Sequence, residues 1–277
     1  MKRIGYLGPK GTNSHEVAKT IIGIGEKLVP YTSFALGTAL RNGSIDKAIL
    51  PIENGGEGRV RWVLDLFANN NIGQFVIIGE VVYRVTHCLI GFGKKRKIKV
   101  VYSHPQALGQ CRQTLGKLET RDTNSTSAAV KLMTQTSDVT SAAIGTKTAA
   151  KMYSVPIIQE DVGDFPNNET RFVVLGTKVP KPTGNDKTSL LFGLTDEVGA
   201  LDRIISTFRV ANINMTMIHS EPSPSRKLGE YIFFIDVNVH QNNKCLVAAL
   251  NLIRATGVGS YKILGSYPKA TLAENVD

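Results

Sequence analysis

Residues 48–67, AILPIENGGEGRVRWVLDLF, decide the fold. Residues 48–52 form a short apolar run of strand length. Residues 53–58 follow with three glycines, and Val60, Val63, Leu64 and Phe67 then fall at i, i+3, i+4 and i+7, one face of a helix. A strand, a turn and a helix are thus written into twenty residues, and the same unit recurs with different residues. Residues 2–7 are an apolar strand, GPKGT at 8–12 turns the chain, and Asn13 with Glu16 reads as a capping box ahead of Val17 and Ile21. Residues 99–102 are a strand, Ser103-His104-Pro105 the turn, and Leu108, Cys111 and Leu115 a helical stripe. Asn124-Ser125-Thr126 caps a helix bearing Ala129, Leu132 and Met133, and residues 142–144 run through Gly145-Thr146 into a helix ending near Tyr153. Such alternation predicts an α/β fold with largely parallel sheets.

Each of these turns brings a helix N-terminus, with unpaired N–H groups and a partial positive charge, to the edge of a sheet. Five of them, at 8–12, 53–58, 103–105, 124–126 and 145–146, predict a cleft for a ligand that carries carboxylate.

Beyond residue 178 the pattern changes. VPKPTGNDK, residues 179–187, has two prolines, a glycine and no apolar period, and reads as a linker. Strand 188–194, helix 198–211, strand 213–219, a Pro/Ser loop at 221–228, strand 229–237, helix 241–256 and strand 257–264 follow. That order, βαββαβ, is ferredoxin-like. Residues 266–277 are expected to be a frayed tail.

The chain of 277 residues is large enough for two domains, and 42% hydrophobic against 20% charged residues excludes a disordered chain. No apolar run approaches a membrane span, so no membrane partner is expected, and the start lacks a signal peptide. Three distant cysteines, Cys88, Cys111 and Cys245, exclude a disulfide framework and fit a cytoplasmic location. The net charge of +10 is concentrated in residues 81–168, where Lys94, Lys95, Arg96, Lys97 and Lys99 form one run. No aromatic residues interleave it and no nucleic-acid motif accompanies it, so it reads as a solvated loop and no nucleic acid is expected. The five histidines have no metal-ligand spacing, and no GxSxG, Walker A or GxGxxG sequence is present, so no metal is expected.

What is present resembles a family. GYLGPKGTNSHEVA near the start, PIENGGEGRV at 51–60, SHPQALGQC at 103–111, STSAA at 125–129, AAIGT at 142–146 and NNETRFVVLG at 167–176 are similar, in order and spacing, to the prephenate dehydratases. The C-terminal unit, with Gly199-Ala200-Leu201 opening its first helix, resembles that family's regulatory ACT domain. The resemblance implies a catalytic domain over residues 1–178, built like a periplasmic binding protein from two lobes, about 1–80 plus 170–178, and 81–169. The chain would cross near Glu80 and return through residues 171–175, and the ACT domain would occupy 188–265. With no chorismate mutase segment before Met1, a monofunctional enzyme is expected.

Prephenate carries a ring carboxylate, a pyruvyl carboxylate and a ring hydroxyl. Loss of CO2 and hydroxide makes the ring aromatic, so the driving force lies in the substrate and no cofactor is implied. The family makes Thr170 essential; its hydroxyl is assigned to the departing ring hydroxyl. Arg171, able to form a bidentate carboxylate contact, is placed on the pyruvyl carboxylate. Glu53, after an apolar strand, is the candidate acid. Thr12, Asn54, Gly55, Ser103, His104, Gln106, Thr126, Ser127, Asn168 and Phe172 are candidate substrate-binding residues.

Two departures stand out. Gly55 replaces the family's serine after Glu-Asn. The regulatory Glu-Ser-Arg-Pro stands here as His219-Ser220-Glu221-Pro222, which, with Gly199, Ala200 and Leu201, would form the effector site for L-phenylalanine. Glu221 would there oppose the effector's charge and weaken inhibition. A homodimer or homotetramer is expected, because ACT domains pair edge to edge. Arogenate dehydratase, and a non-catalytic sensor of small carboxylates or amino acids with the same fold, are the alternative readings.

Overall fold

The computed structural model describes residues 1–194, 196–225, 227, 230–257, 259–270 and 272–273. The first lobe runs β1 (Lys2–Leu7), α1 (Asn13–Ile21), β2 (Glu26–Tyr31), α2 (Ser33–Arg41), β3 (Lys47–Asn54), the two-residue β4 (Gly58–Arg59), α3 (Arg61–Ala68) and β5 (Val76–Arg84). Thr12, extended at φ −91° and ψ 166°, caps α1 by accepting from His15 N, so Asn13 is the first helical residue and not the cap. The second lobe holds β6 (Cys88–Ile90), β7 (Val100–Ser103), α4 (Pro105–Gly109), α5 (Arg112–Leu115), β8 (Glu119–Asp122), α6 (Thr126–Thr136), β9 (Ser141–Gly145), α7 (Lys147–Tyr153) and β10 (Ile157–Gln159). The single helix expected over Leu108, Cys111 and Leu115 is two short ones, because Cys111 leaves helical geometry at φ −119° and ψ 15°. The basic run at 94–99 is exposed between β6 and β7, as expected.

The chain crosses between lobes at residues 85–87, after β5 and later than Glu80, and returns into β11 (Glu169–Gly176). Each sheet is mixed rather than largely parallel: β1–β2 and β1–β3 are parallel, but β11 enters from the other lobe and runs antiparallel between β3 and β5. In the second lobe the order is β10-β6-β9-β7-β8, with β7 parallel to both of its neighbours and β6 antiparallel to β9 and β10.

The C-terminal unit is β12 (Asp186–Leu194), α8 (Ala200–Val210), β13 (Met215–Pro222), β14 (Tyr231–Val237), α9 (Lys244–Ala255) and β15 (Gly259–Pro268), with β16 (Leu272–Ala273) beyond. Its strand order β13-β14-β12-β15 is ferredoxin-like. Three expected boundaries move. Asp186 and Lys187 belong to β12 and are buried, so the irregular connection is shorter than 179–187. Glu221 lies in β13 instead of a loop, and the expected strand start at Gly229 falls outside the described residues. The expected tail is no tail at its start: Ser266 and Tyr267 are fully buried in β15, and β16 pairs with β5.

β15 meets β5 where Gly265 faces Ile77, so the sheets of the first lobe and the C-terminal unit are continuous. Glycine is required there, since a Cβ on Gly265 would sit 2.1 Å from the Ile77 carbonyl oxygen. One apolar core spans the junction, with Phe75, Ile77, Val173 and Leu175 packing with Ile232, Phe234, Leu264 and Tyr267. No helix among the described residues is long and apolar enough to cross a membrane.

Candidate active site

A cleft of about 560 Å³ opens between the two lobes. Strand β11 forms part of its floor, and the twofold alternation of a strand sorts that strand's residues. Thr170 and Phe172 line the cleft; Arg171 and Val173 face the C-terminal unit. On the neighbouring β3 a register shift against β11, between Arg171 and Phe172, interrupts the alternation, so that Pro51 and Asn54 both line the cleft while Glu53 lies 3.5 Å from His219 Nε2.

Asn54 holds Thr170. Its Nδ2 donates to Thr170 Oγ1 at 2.8 Å and to Asn168 Oδ1 at 2.9 Å, while its Oδ1 accepts from Gly56 N and Glu57 N. Thr170 Oγ1 therefore serves as acceptor on the protein side and keeps its own proton for the cleft. Asn168 Nδ2 donates to Gln110 Oε1 at 2.9 Å, and Gln110 Nε2 donates to Glu57 Oε1 at 2.7 Å. His87 Nε2 lies 2.8 Å from the same Gln110 oxygen, and burial holds its imidazole below the usual range, against the opposing effect of that bond. A buried amide chain thus runs from Thr170 to Glu57 across both lobes. Glu57 is the only carboxyl group, and Arg59 the only lysine or arginine, among the described residues that line the cleft.

From the second lobe the turns present helix starts. His104 caps α4, Ser125 caps α6 by accepting from Ala128 N at 3.0 Å, and Gln106 and Thr126 line the cleft beside them. Thr12 and Ser14 line it from the first lobe.

Other expected contacts are not made. Ser103 is fully buried and donates to Ile144 O at 2.8 Å inside the sheet. Ser127 donates to Lys10 O at 2.5 Å, tethering the lobes rather than lining the cleft. Gly55 does not line the cleft; it is exposed, and its N–H donates to Glu169 O at 2.8 Å. Asn168 stands behind the cleft, where it braces Asn54 and Gln110. The largest correction is Arg171, which donates through Nε to Glu80 at 2.7 Å and through Nη2 to Tyr267 OH at 2.9 Å, with Nη1 2.7 Å from Asp236 Oδ2. Lys187 Nζ completes the group at 2.9 Å from Glu80. Two cations and two anions, drawn equally from the first lobe and the C-terminal unit, neutralise one another. Burial raises the Glu80 carboxyl, but Arg171 and Lys187 outweigh it and hold Glu80 below the usual range. Burial likewise disfavours the charged Arg171, and Asp236, Tyr267 and Glu80 more than restore it.

The prephenate dehydratase family model matches residues 4–180, the span that builds this cleft. The chain belongs to the prephenate dehydratase family. It is accordingly an enzyme, a dehydratase. The ACT domain model matches residues 188–251. A prephenate dehydratase of Methanocaldococcus jannaschii is 37% identical over 277 residues, covering 96% of this chain and 98% of that one. The solved structure of a prephenate dehydratase from Arthrobacter aurescens in complex with L-Phe has a TM-score of 0.85 at 29% identity, over 98% of this chain and 93% of that chain. GqqA, described as a novel type of quorum quenching acylase, also gives 0.85, at 26% identity, over 97% of this chain and 98% of that chain.

In this member of the prephenate dehydratase family the altered regulatory motif is also sorted by alternation. Met217, His219 and Glu221 point inward from β13, while Ser220 and Pro222 are exposed. Met217 Sδ lies 3.4 Å from Arg171 Nη1, His219 faces Glu53, and Glu221 pairs with Arg59. Glu221 therefore engages the catalytic lobe through Arg59. Gly199 caps α8 in the left-handed region at φ 82°, with Ala200 buried and Leu201 half-buried behind it. The alternation of β11 and β13 is visible in the sequence and separates Arg171 from Thr170; the register shift that separates Glu53 from Pro51, the place of Glu57 in the turn after β3 and the pairing of Glu221 with Arg59, far apart in the chain, are not.

Proposed function

We propose that the cleft binds prephenate and converts it to phenylpyruvate, CO2 and water. The observation that carries this reading is the Thr170 hydroxyl at the cleft wall, accepting from Asn54 Nδ2 and so left with its own proton to donate. The ring C–C bond to the carboxylate breaks, its electron pair aromatises the ring, and the C–O bond to the ring hydroxyl breaks as one proton is added to give water. Thr170 donates a hydrogen bond to that oxygen as charge develops on it, and Glu57, tied to Gln110, can relay the net proton from solvent. The helix starts at Thr12, His104 and Ser125 offer N–H groups to the substrate's anionic end.

The ACT unit supports L-phenylalanine as effector, in keeping with the ligand of the Arthrobacter relative. The edge position of β13 supports pairing of two chains into a homodimer, or two such pairs into a homotetramer. The likeness to biosynthetic relatives supports a cytoplasmic location.

Formation of phenylpyruvate from prephenate, followed by its absorbance, tests the reading. Thr170→Ala should retain binding and lose about 10²–10⁴-fold in kcat, and Thr170→Ser should keep more activity. Unchanged kcat in Thr170→Ala refutes the role.

A further inference from the structure

The substrate read above is a dianion, and the one carboxyl group among the described residues that line the cleft, Glu57, is an acid as well. Arg59, at the end of the β3–β4 hairpin, is the cation that can offset both, being the only lysine or arginine among the described lining residues. Cross-strand pairing sets Arg59 opposite Glu53 and Gly58 opposite Asn54, so the hairpin that carries Arg59 starts from the residue that holds Thr170. The guanidinium is tethered at one nitrogen: Nε donates to Glu221 Oε1, and Glu221 is only 3% exposed. Among the described residues no other hydrogen bond is made by the Arg59 side chain. Its terminal pair, Nη1 and Nη2, is unspent on a side chain that remains 46% exposed. A guanidinium fixed at Nε presents its other edge as a planar fork, the geometry that accepts a carboxylate with two parallel hydrogen bonds.

Resting on the reading of prephenate as substrate, we propose that Arg59 binds the substrate's pyruvyl carboxylate through Nη1 and Nη2, and that Glu221 of the ACT unit is its positioning residue. The choice of carboxylate follows from the chemistry. The ring carboxylate must give up its charge as CO2, and a strong cation on it would stabilise the ground state more than the transition state. The pyruvyl carboxylate survives into the product, so a contact with it binds without opposing reaction. The regulatory unit then completes the substrate site with one of its own buried carboxylates. Of the two residues that depart from the family's Glu-Ser-Arg-Pro, His219 and Glu221, the second is the one that holds Arg59.

Because phenylpyruvate keeps that carboxylate, the product reports the contact without turnover. Arg59→Gln should raise KM for prephenate by about 10–100-fold, more than kcat falls, and should weaken phenylpyruvate binding in calorimetry by a similar factor. Arg59→Lys, which keeps the charge and loses the fork, should fall between. Glu221→Gln should raise KM by a smaller factor, and should add nothing in the Arg59→Gln background if it acts through Arg59. Should Arg59→Gln unfold because Glu221 is left buried without a partner, the double variant removes both charges, and its phenylpyruvate affinity against that of Glu221→Gln decides the matter. Unchanged phenylpyruvate affinity on loss of Arg59 overturns the proposal, as does an equal effect of Glu221→Gln with and without Arg59. An unmodified chain that leaves prephenate unreacted refutes the substrate reading instead, and phenylpyruvate binding then still reports on Arg59.

Discussion

Replacing Arg171 by methionine removes three contacts at once: to Glu80 at 2.7 Å, to Tyr267 OH at 2.9 Å and to Asp236 at 2.7 Å. Lys187 still serves Glu80, but Asp236, with no exposed surface, is left without its cation. Breaking a buried ion pair from one side is worth about 3–5 kcal/mol, because a charge stays behind in a medium that solvates it poorly. At about 2.1 cal/mol/K per residue, a chain of 277 residues unfolding as one unit has an unfolding entropy of about 0.6 kcal/mol/K, so Tm should fall by about 5–9 °C. Scanning calorimetry measures this, and Arg171→Met/Asp236→Asn should recover part of the loss, since the stranded carboxylate is gone. The comparison with Thr170→Ala sharpens the test: one residue along the same strand, Tm should barely move while kcat collapses. If Arg171→Met left Tm unchanged and acted only on KM, the arginine would reach the substrate after all and the ion cluster would be no anchor.

Asn54→Ala should lower kcat by about 10²-fold with Thr170 intact, because the hydroxyl loses the donor that aims it; single-turnover kinetics read the effect, and unchanged kcat removes Asn54 from the site. His87 and His15 are both held below the ordinary histidine pKa of 6.5, burial being the largest cause in each. The unfolded chain then binds more protons below about pH 6.5, so stability should fall as pH drops through that window. His87→Gln should flatten the slope of Tm against pH there, leaving the contribution of His15, and an unaltered slope refutes the assignment. Gly265→Ala drives a methyl group into the Ile77 carbonyl and should destabilise the junction of the two sheets by about 1–3 kcal/mol or more, read as a lower Tm and faster proteolysis in residues 177–185. A variant as stable as the parent would show that the seam yields freely.

Local pattern and long-range pairing were not equally legible. The helix after Gly58 was plain in Val60, Val63, Leu64 and Phe67, and the turns at Thr12, His104, Ser125 and Thr146 do cap helices. The βαββαβ order was legible for the same reason, since apolar period and turn chemistry are local properties. Thr170, Asn54, His104, Gln106 and Thr126 do line the cleft. Arg171 follows Thr170 in one motif yet faces away from the cleft, because adjacent residues of a strand face opposite ways, and Glu53 parts from Pro51 only through a register shift that no local pattern announces. Ser103 and Ser127 went astray differently: a serine at a turn satisfies a carbonyl as readily as it meets a ligand, and only the folded partner, Ile144 or Lys10, tells which. The burial of Tyr267 depended on a core assembled from both units, which no window of sequence contains.

Thr170 and Arg171 share one peptide plane, with the hydroxyl on one side of β11 and the guanidinium on the other. The plane is stiff and the Cα–Cα distance across it is fixed at about 3.8 Å, so neither side chain's anchor can shift alone. A tilt of the C-terminal unit that drags on Glu80, Asp236 and Arg171 is delivered to the Thr170 hydroxyl with no intervening relay, and a displacement of about 1 Å at a reacting group is enough to change a rate about 10²-fold. The lever arm between the two domains is a single amide bond.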